Sequence, residues 1–443
     1  VADNKFIDLR NPCRLIKEDD VQRRSALALG AALAIMTSAC SSGNPGDPGA
    51  DVALTFMTFE TPALTARFWD GSIDTALKSV DGVTINKIVT PDADRNAYAK
   101  QLQASGQFPD ILASINPKDF TEAGLLSPFD KSWLAENFVD PTANDIDAET
   151  YIPPTNSQIL PLVFYNKKVF ADHGLTVPST WDEFMSTVAA LKSAGVTPIE
   201  YAGLEGWSAS MPLVALASSD VLGQNPDWIA ERYAGTVKFT DSEFVGAMDK
   251  ARDLVEVGAY DPGALSVDYP TANKNFLAGR SGMYLMGSWL IGQFKPDVAA
   301  NFGAFPLPTE DGSTVIPFNV GGTTSVSAQS ADPGKAMDFA KAWSLAPANL
   351  KVLIETDGAF PMLKNRTLDD FGATVTPLYD ESYKLVTEDN TKVSAFGWVN
   401  NNDALPPGMN DLFYALSQQL FASGDVKGQL AQLDSDWDTA AGQ

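Results

Sequence analysis

The sequence predicts an α/β fold in which mostly parallel sheets are flanked by helices. Three observations carry the prediction. Residues 52–59, 83–89 and 109–113 are β-rich runs separated by helical stretches at 64–79 and 94–105, an order that argues a parallel sheet with right-handed crossovers. In residues 162–199, Leu162, Val163 and Phe164 end a buried strand, and Asn166 and Gly174 bracket a short helix. Thr180 and Glu183 have capping-box spacing ahead of a second helix, with Trp181, Phe184, Val188 and Leu191 on one face and Gly195 as its stop. With 443 residues and 44% hydrophobic composition, the chain has material for two or three packed domains.

Composition excludes whole function classes. A net charge of −25 argues against a DNA or RNA partner. Cys13 and Cys40 are the only cysteines and His173 the only histidine, so no zinc ligand set of Cys and His exists. A Ser-His or Cys-His mechanism would have to use His173, which beside Gly174 reads as a helix-end residue. No G-x-x-x-x-G-K-[ST] phosphate loop occurs, and no cofactor is expected.

The N-terminal stretch reads as a leader. Arg23 and Arg24 precede an apolar run at 25–36 that falls short of the roughly 20 residues of a spanning helix. Small residues Thr37, Ser38 and Ala39 then precede Cys40. This arrangement resembles the lipobox of bacterial lipoproteins, although Thr37 stands where a leucine is usual. The resemblance implies that residues 1–39 are a signal peptide and that Cys40 becomes a lipid-modified first residue. An ordinary cleavage site with an incidental cysteine is the alternative. Residues 41–50 form a Ser/Gly/Pro linker.

Along the body, open sheets bind ligands beyond their strand C-termini, which puts Thr58, Glu60, Ser114 and Asn116 at a candidate crevice. Asp110 at a strand start reads as structural. Residues 130–156 are acidic and irregular, 159–165 form a strand, and 196–202 another. Trp207 follows in a loop, and Thr240 with Glu243 forms a second capping-box spacing. Gly321 and Gly322, in a stretch running from 315 to 327, permit close backbone approach. Asp332-Pro333 opens a helix with Met337, Ala340 and Trp343 on one face, and Gly358 ends the next. Trp207, Trp289 and Trp398 lie in loop-like stretches, whereas Trp181 and Trp343 lie on amphipathic faces and belong to the core.

The wording YNKKVFADHGLTVPSTWDEF at 165–184, FPDILASINPKDFTEAGLLSPFD at 108–130 and ANKNFLAGRSGMYLMGSWLIG at 272–292 resembles the solute-binding proteins of sugar ABC importers, the maltose-binding-protein-like group. The resemblance implies a two-lobed periplasmic-binding-protein-like fold with a hinge of about three crossings. It assigns 51–157 and 318–357 to one lobe, and 161–312 and 360–443 to the other. It implies a lipid-anchored monomer outside the cytoplasmic membrane that captures a carbohydrate by hinge closure, without catalysis, and delivers it to permease subunits. The implied ligand contacts are Glu60, Ser114, Asn116, Tyr165, Trp207, Trp289, Gly321, Gly322 and Trp398. Tyr165 faces the ligand in some relatives and also sits beside the hinge, where it could serve packing alone. Flat aromatics suit the C–H faces of a sugar, and carboxylates, amides and hydroxyls suit its polar edge. A secreted glycoside hydrolase, a binding protein for a non-sugar solute and one feeding a sensor stay open on residues alone.

Overall fold

In the computed structural model, residues 51–91 and 94–442 are described, so the leader, the linker and Cys40 lie outside the described residues. Two lobes, each built on its own sheet, are joined by a third sheet at the hinge. The first-lobe sheet has the order Val83–Val89, Val52–Thr58, Ile111–Ala113, Thr324–Ser327, Leu126–Ser127. Its first three strands pair parallel, as the β-α-β-α-β order requires. Thr324–Ser327 returns from the hinge in the opposite direction and pairs antiparallel on both sides. The second-lobe sheet runs Phe302–Phe305, Leu162–Asn166, Ser281–Met286, Thr197–Glu200. Only its last pair is parallel, because Leu162–Asn166 arrives from the hinge against its neighbours.

The helices form where periodicity and caps place them. In Ala66–Leu77, Phe68, Trp69 and Ile73 are buried. The Trp69 ring stacks on fully buried Trp343 of the helix Pro333–Leu345 at 6.3 Å. Phe339 is buried beside Ala340 and Trp343, and Met337 packs partly buried against the same core. Asn166 accepts from the N–H groups of Lys168 and Val169, and Thr180 from that of Glu183. The Glu183 carboxylate reaches back to Ser179 instead of Thr180, accepting from its N–H and hydroxyl at 2.7 Å each. The expected Thr240–Glu243 box does not form. Asp241 is the N-cap of Ser242–Glu256, and the Thr240 hydroxyl donates to Asp434 at 2.8 Å, because a buried carboxylate from the C-terminal helix outcompetes the local partner. Asp110 is structural as read, accepting from the backbone and side chain of Thr55 and from Ser330 and Ala331. Residues 130–156 are more regular than their composition suggests. Asp130 caps a helix, Lys131–Asn137, and a two-stranded hairpin pairs Asp145–Ile146 with Glu149–Thr150.

The third sheet takes strands from stretches that separate the strands of the two lobe sheets. The single strand read at 159–165 is two: Asn156–Ile159 belongs to the hinge sheet and Leu162–Asn166 to the second lobe. The stretch 315–327 likewise divides into Val315–Gly321 in the hinge sheet and Thr324–Ser327 in the first lobe. Phe360–Pro361 is the third hinge strand, and Thr391–Ser394 is a fourth that no local pattern predicted. Gly321 and Gly322 sit where the first-lobe and hinge backbones nearly touch. A Cβ on Gly322 would lie 2.3 Å from the Pro153 carbonyl oxygen, and one on Gly321 would lie 2.7 Å from Asn156 Oδ1. Gly322→Ala is therefore expected to cost about 1–3 kcal/mol through overpacking against backbone, read as a lower urea midpoint at unchanged slope.

Candidate functional site

Three loop tryptophans, distant in sequence, converge on one site. Trp207 comes from the one-turn helix Gly206–Ala209, Trp289 from the turn Ser288–Gln293 after a central strand, and Trp398 from the loop after the fourth hinge strand. Ring centroids lie 6.1 Å apart for Trp207–Trp289, 6.2 Å for Trp207–Trp398 and 5.7 Å for Trp289–Trp398. All three remain partly exposed, whereas Trp181 and Trp343 are buried in the core. Tyr269 packs edge-on against Trp207 at 5.0 Å, and Tyr414 lies 5.7 Å from Trp398. Burial pushes both phenols above the ordinary tyrosine range, so both stay neutral hydrogen-bonding groups.

Polar groups from the first lobe and the hinge act electrostatically on the two tyrosines, Arg95 on Tyr414 and Asp357 on Tyr269. Arg95 opens the helix after the second strand and lies 4.2 Å over the Phe59 ring. Its Nε donates to the Ser114 carbonyl at 2.9 Å. Burial lowers the guanidinium pKa, while Tyr414, Asp94 and Asp357 act to raise it. Asp357 ends the helix Pro347–Asp357, and the Gln158 amide donates to its carbonyl at 3.1 Å and its carboxylate at 3.3 Å. Burial pushes the Asp357 carboxyl up to about 7, against the opposing pull of Gln158 and Arg95.

A carboxyl with a raised native pKa destabilises the fold progressively as pH climbs from the unfolded value through the native one. Asp357→Asn is accordingly expected to raise the melting temperature at pH 8 and to leave it unchanged near pH 4, measured by thermal unfolding of the ligand-free protein. Equal melting curves at pH 8 would remove Asp357 as a strained carboxylate.

The other predicted residues fall into two sets. Ser114 and Gly322 meet: the serine, at φ 47, donates its N–H to Thr323 at 2.8 Å and its hydroxyl to Gly322 at 3.3 Å. Asn116 exchanges two hydrogen bonds with Asn96 through its backbone, and its side-chain oxygen accepts from the Lys118 N–H. Ser114 and Asn116 thus hold Arg95 and Asn96 in place. Tyr165 stands apart from the tryptophans, its ring against Phe170 at 4.8 Å and Phe305 at 5.7 Å, and it covers Gly303. Glu60 is exposed beyond the end of the first strand. Sequence reasoning missed Arg95, Asp357, Tyr269 and Tyr414. Arg95 carried a usable signal, since it lies just past a strand C-terminus. Asp357 is one acid among many, and nothing local singles it out.

Residues 65–349 match the profile of the bacterial extracellular solute-binding protein family. The chain belongs to this family. Its members bind solutes without catalysis, and among the described residues no group of His, Cys, Asp and Glu could hold a metal ion. Similar relatives include the multiple sugar-binding protein of Streptococcus mutans, 24% identical over 66% of this chain and 71% of the relative. The maltotriose-binding protein of Pyrococcus abyssi is 26% identical over 62% of this chain and 58% of the relative. Among solved structures, a chitin oligosaccharide binding protein superposes with a TM-score of 0.77 at 22% identity, covering 89% of this chain and all of that one. A sugar transporter protein of Bacillus licheniformis in complex with stachyose gives 0.71 at 18% identity, covering 88% of this chain and 100% of that one. Among the described residues no helix of this solute-binding protein is long and apolar enough to cross a membrane.

Proposed function

We propose that this solute-binding protein captures a carbohydrate, a mono- or oligosaccharide, between its lobes by hinge closure and delivers it to the permease subunits of an ABC importer. The observation that carries the reading is the convergence of Trp207, Trp289 and Trp398 on one partly exposed aromatic platform. Flat rings take the C–H faces of a pyranose, while Asp357, Arg95 and Gln158 supply an acceptor and donors for its hydroxyls. An uncharged ligand suits a chain of net charge −25. The relatives' names, multiple sugar-binding protein and maltotriose-binding protein, support the same class.

In this reading residues 51–157 and 318–357 form one lobe and 161–312 and 360–443 the other. Glu60, Ser114, Asn116, Gly321 and Gly322 border the crevice, and Tyr165 lies near the hinge. Residues 1–39 direct export, and Cys40 carries the lipid that anchors a monomer to the outer face of the cytoplasmic membrane. Closure must be driven by a ligand that binds the closed arrangement better than the open one. A thermal-shift screen over mono- and oligosaccharides tests the class, because a ligand of the folded state raises the melting temperature. Shifts from sugars are expected. No response to any sugar, with a clear shift from a peptide or polyamine, would overturn the reading, and turnover of an oligosaccharide would overturn binding without catalysis.

A further inference from the structure

The loop that carries Trp398 is tied to both lobes. On its upstream side, the Phe396 N–H donates to Ser218 at 3.0 Å and the Gly397 carbonyl accepts from the Tyr414 hydroxyl at 3.3 Å, both in the second lobe. Downstream, the Asn400 amide donates to Val320 of the hinge sheet at 3.2 Å. Asn401 donates to the Ala143 carbonyl at 3.2 Å, and Asn402 accepts from the Asp147 N–H at 3.0 Å, at the first-lobe hairpin. That hairpin turn holds Asp147 and Ala148 at φ 51 and 65, a conformation L-residues rarely keep without outside support. Lys118, in the first-lobe helix Lys118–Thr121, reaches across to the same loop. Its ammonium donates to the Asn402 carbonyl at 3.0 Å and the Ala404 carbonyl at 2.9 Å, and lies 4.2 Å from the centre of the Tyr233 ring. The Tyr233 hydroxyl donates to the same Ala404 carbonyl at 2.8 Å.

We propose that Lys118 is a positioning residue: it latches the first lobe to the 398–404 loop and so couples lobe closure to the placement of Trp398 in the binding platform. The inference rests on the reading of that platform as the ligand site. The groups facing Lys118 are Asp147 on the hairpin, Asp403 on the loop, Glu122 beside its own helix and Tyr233 on the second lobe. Burial lowers the ammonium pKa to about 8, against the three carboxylates that hold it up. The Tyr233 phenol is raised by burial and stays neutral throughout.

The sign of the pH dependence follows. With the lobes apart, Lys118 regains water and the ordinary value of 10.5, so closing releases a proton between about pH 8 and that value. The closed form therefore gains stability as pH rises through this window. The neutral amine still has two N–H donors for its two carbonyl acceptors. Below pH 8 both forms carry the proton and no linkage remains.

The test combines small-angle scattering of the ligand-free protein with titration calorimetry, using a sugar that the wild type binds, at pH 7.5 and 9.5. The wild type is expected to become more compact and to bind more tightly at the higher pH. Lys118→Met is expected to have a larger radius of gyration, roughly tenfold weaker binding from the loss of a charged donor, and no pH dependence in this window. Lys118→Arg keeps the charge and the donors, so it should restore affinity at pH 7.5 while its pH profile stays flat. A Lys118→Met protein with wild-type radius and wild-type pH profile would overturn the latch. If the wild type binds no sugar, the proposed function fails, and the radii of the ligand-free proteins still decide the latch: equal radii overturn it, a larger radius for the methionine variant supports it.

Discussion

Trp289→Ala is expected to weaken carbohydrate binding about 30-fold or more while the fold survives, the behaviour of a central aromatic anchor. Trp289 touches both of the other rings, 5.7 Å from Trp398 and 6.1 Å from Trp207, and is partly exposed. Its removal takes away one corner of a three-ring cluster, so stacking area is lost and both remaining rings lose a neighbour. The backbone beneath it is tightly set. A Cβ on Gly287 would meet the Trp289 ring at 2.3 Å, so the ring lies folded back on its own turn. Calorimetric titration with a sugar bound by the wild type measures the effect. Trp343→Ala is the control: its ring is fully buried against Trp69, so it should cost about 3–5 kcal/mol of stability instead. Wild-type affinity in Trp289→Ala would sink the aromatic platform as the ligand site.

Asp434→Ala is expected to cost about 3–5 kcal/mol of stability, because it removes one carboxylate partner of a buried arginine and the acceptor of three further donors. Arg232 is only 1% exposed. Its guanidinium lies 3.3 Å from the Asp434 carboxylate and 2.7 Å from Asp438, and donates to the Asp434 carbonyl at 3.1 Å. The same carboxylate accepts from the Phe239 N–H at 2.8 Å, the Thr240 N–H at 3.1 Å and the Thr240 hydroxyl at 2.8 Å. One side chain thus pins the helix Val426–Ala440 to the start of Ser242–Glu256 and to Trp228–Tyr233. Asp438→Ala, with a side chain 44% exposed, should cost far less because water and salt screen its pairing. Urea unfolding of both variants checks the ranking, and equal midpoints would sink it.

Local grammar was legible wherever the responsible contacts are short in sequence. Asn166 and Thr180 cap helices as their positions imply, and Trp181, Phe184, Val188 and Leu191 bury the face their spacing defines. The hinge crossings were legible as places but not as strands. A run such as 159–165 has one β pattern, and only its partners divide it between two sheets. The Thr240–Glu243 spacing misled because Asp434, almost two hundred residues away, offers a better acceptor. Thr391–Ser394 was invisible as a hinge strand because two of its four residues face solvent, leaving no apolar run to read.

For the site, the candidate residues were readable by type and loop position, and three tryptophans chosen that way do meet. Tyr165, chosen from its motif and open to a packing role as well, has its ring against Phe170 and Phe305. Burial and their mutual electrostatic pull shift the Arg95 and Asp357 pKa values, and no neighbour in the chain encodes either effect. By itself the sequence determined the α/β class, the capped helices, the core tryptophans and the stretches where the chain crosses between lobes, because propensity, capping and periodicity act over a few residues. Only the tertiary structure decided which loop tryptophans meet, which carboxyl is pushed up to about 7, and that Lys118 reaches the carbonyls of Asn402 and Ala404. Those depend on segments tens to hundreds of residues apart, brought together by the hinge crossings, and on the desolvation that follows.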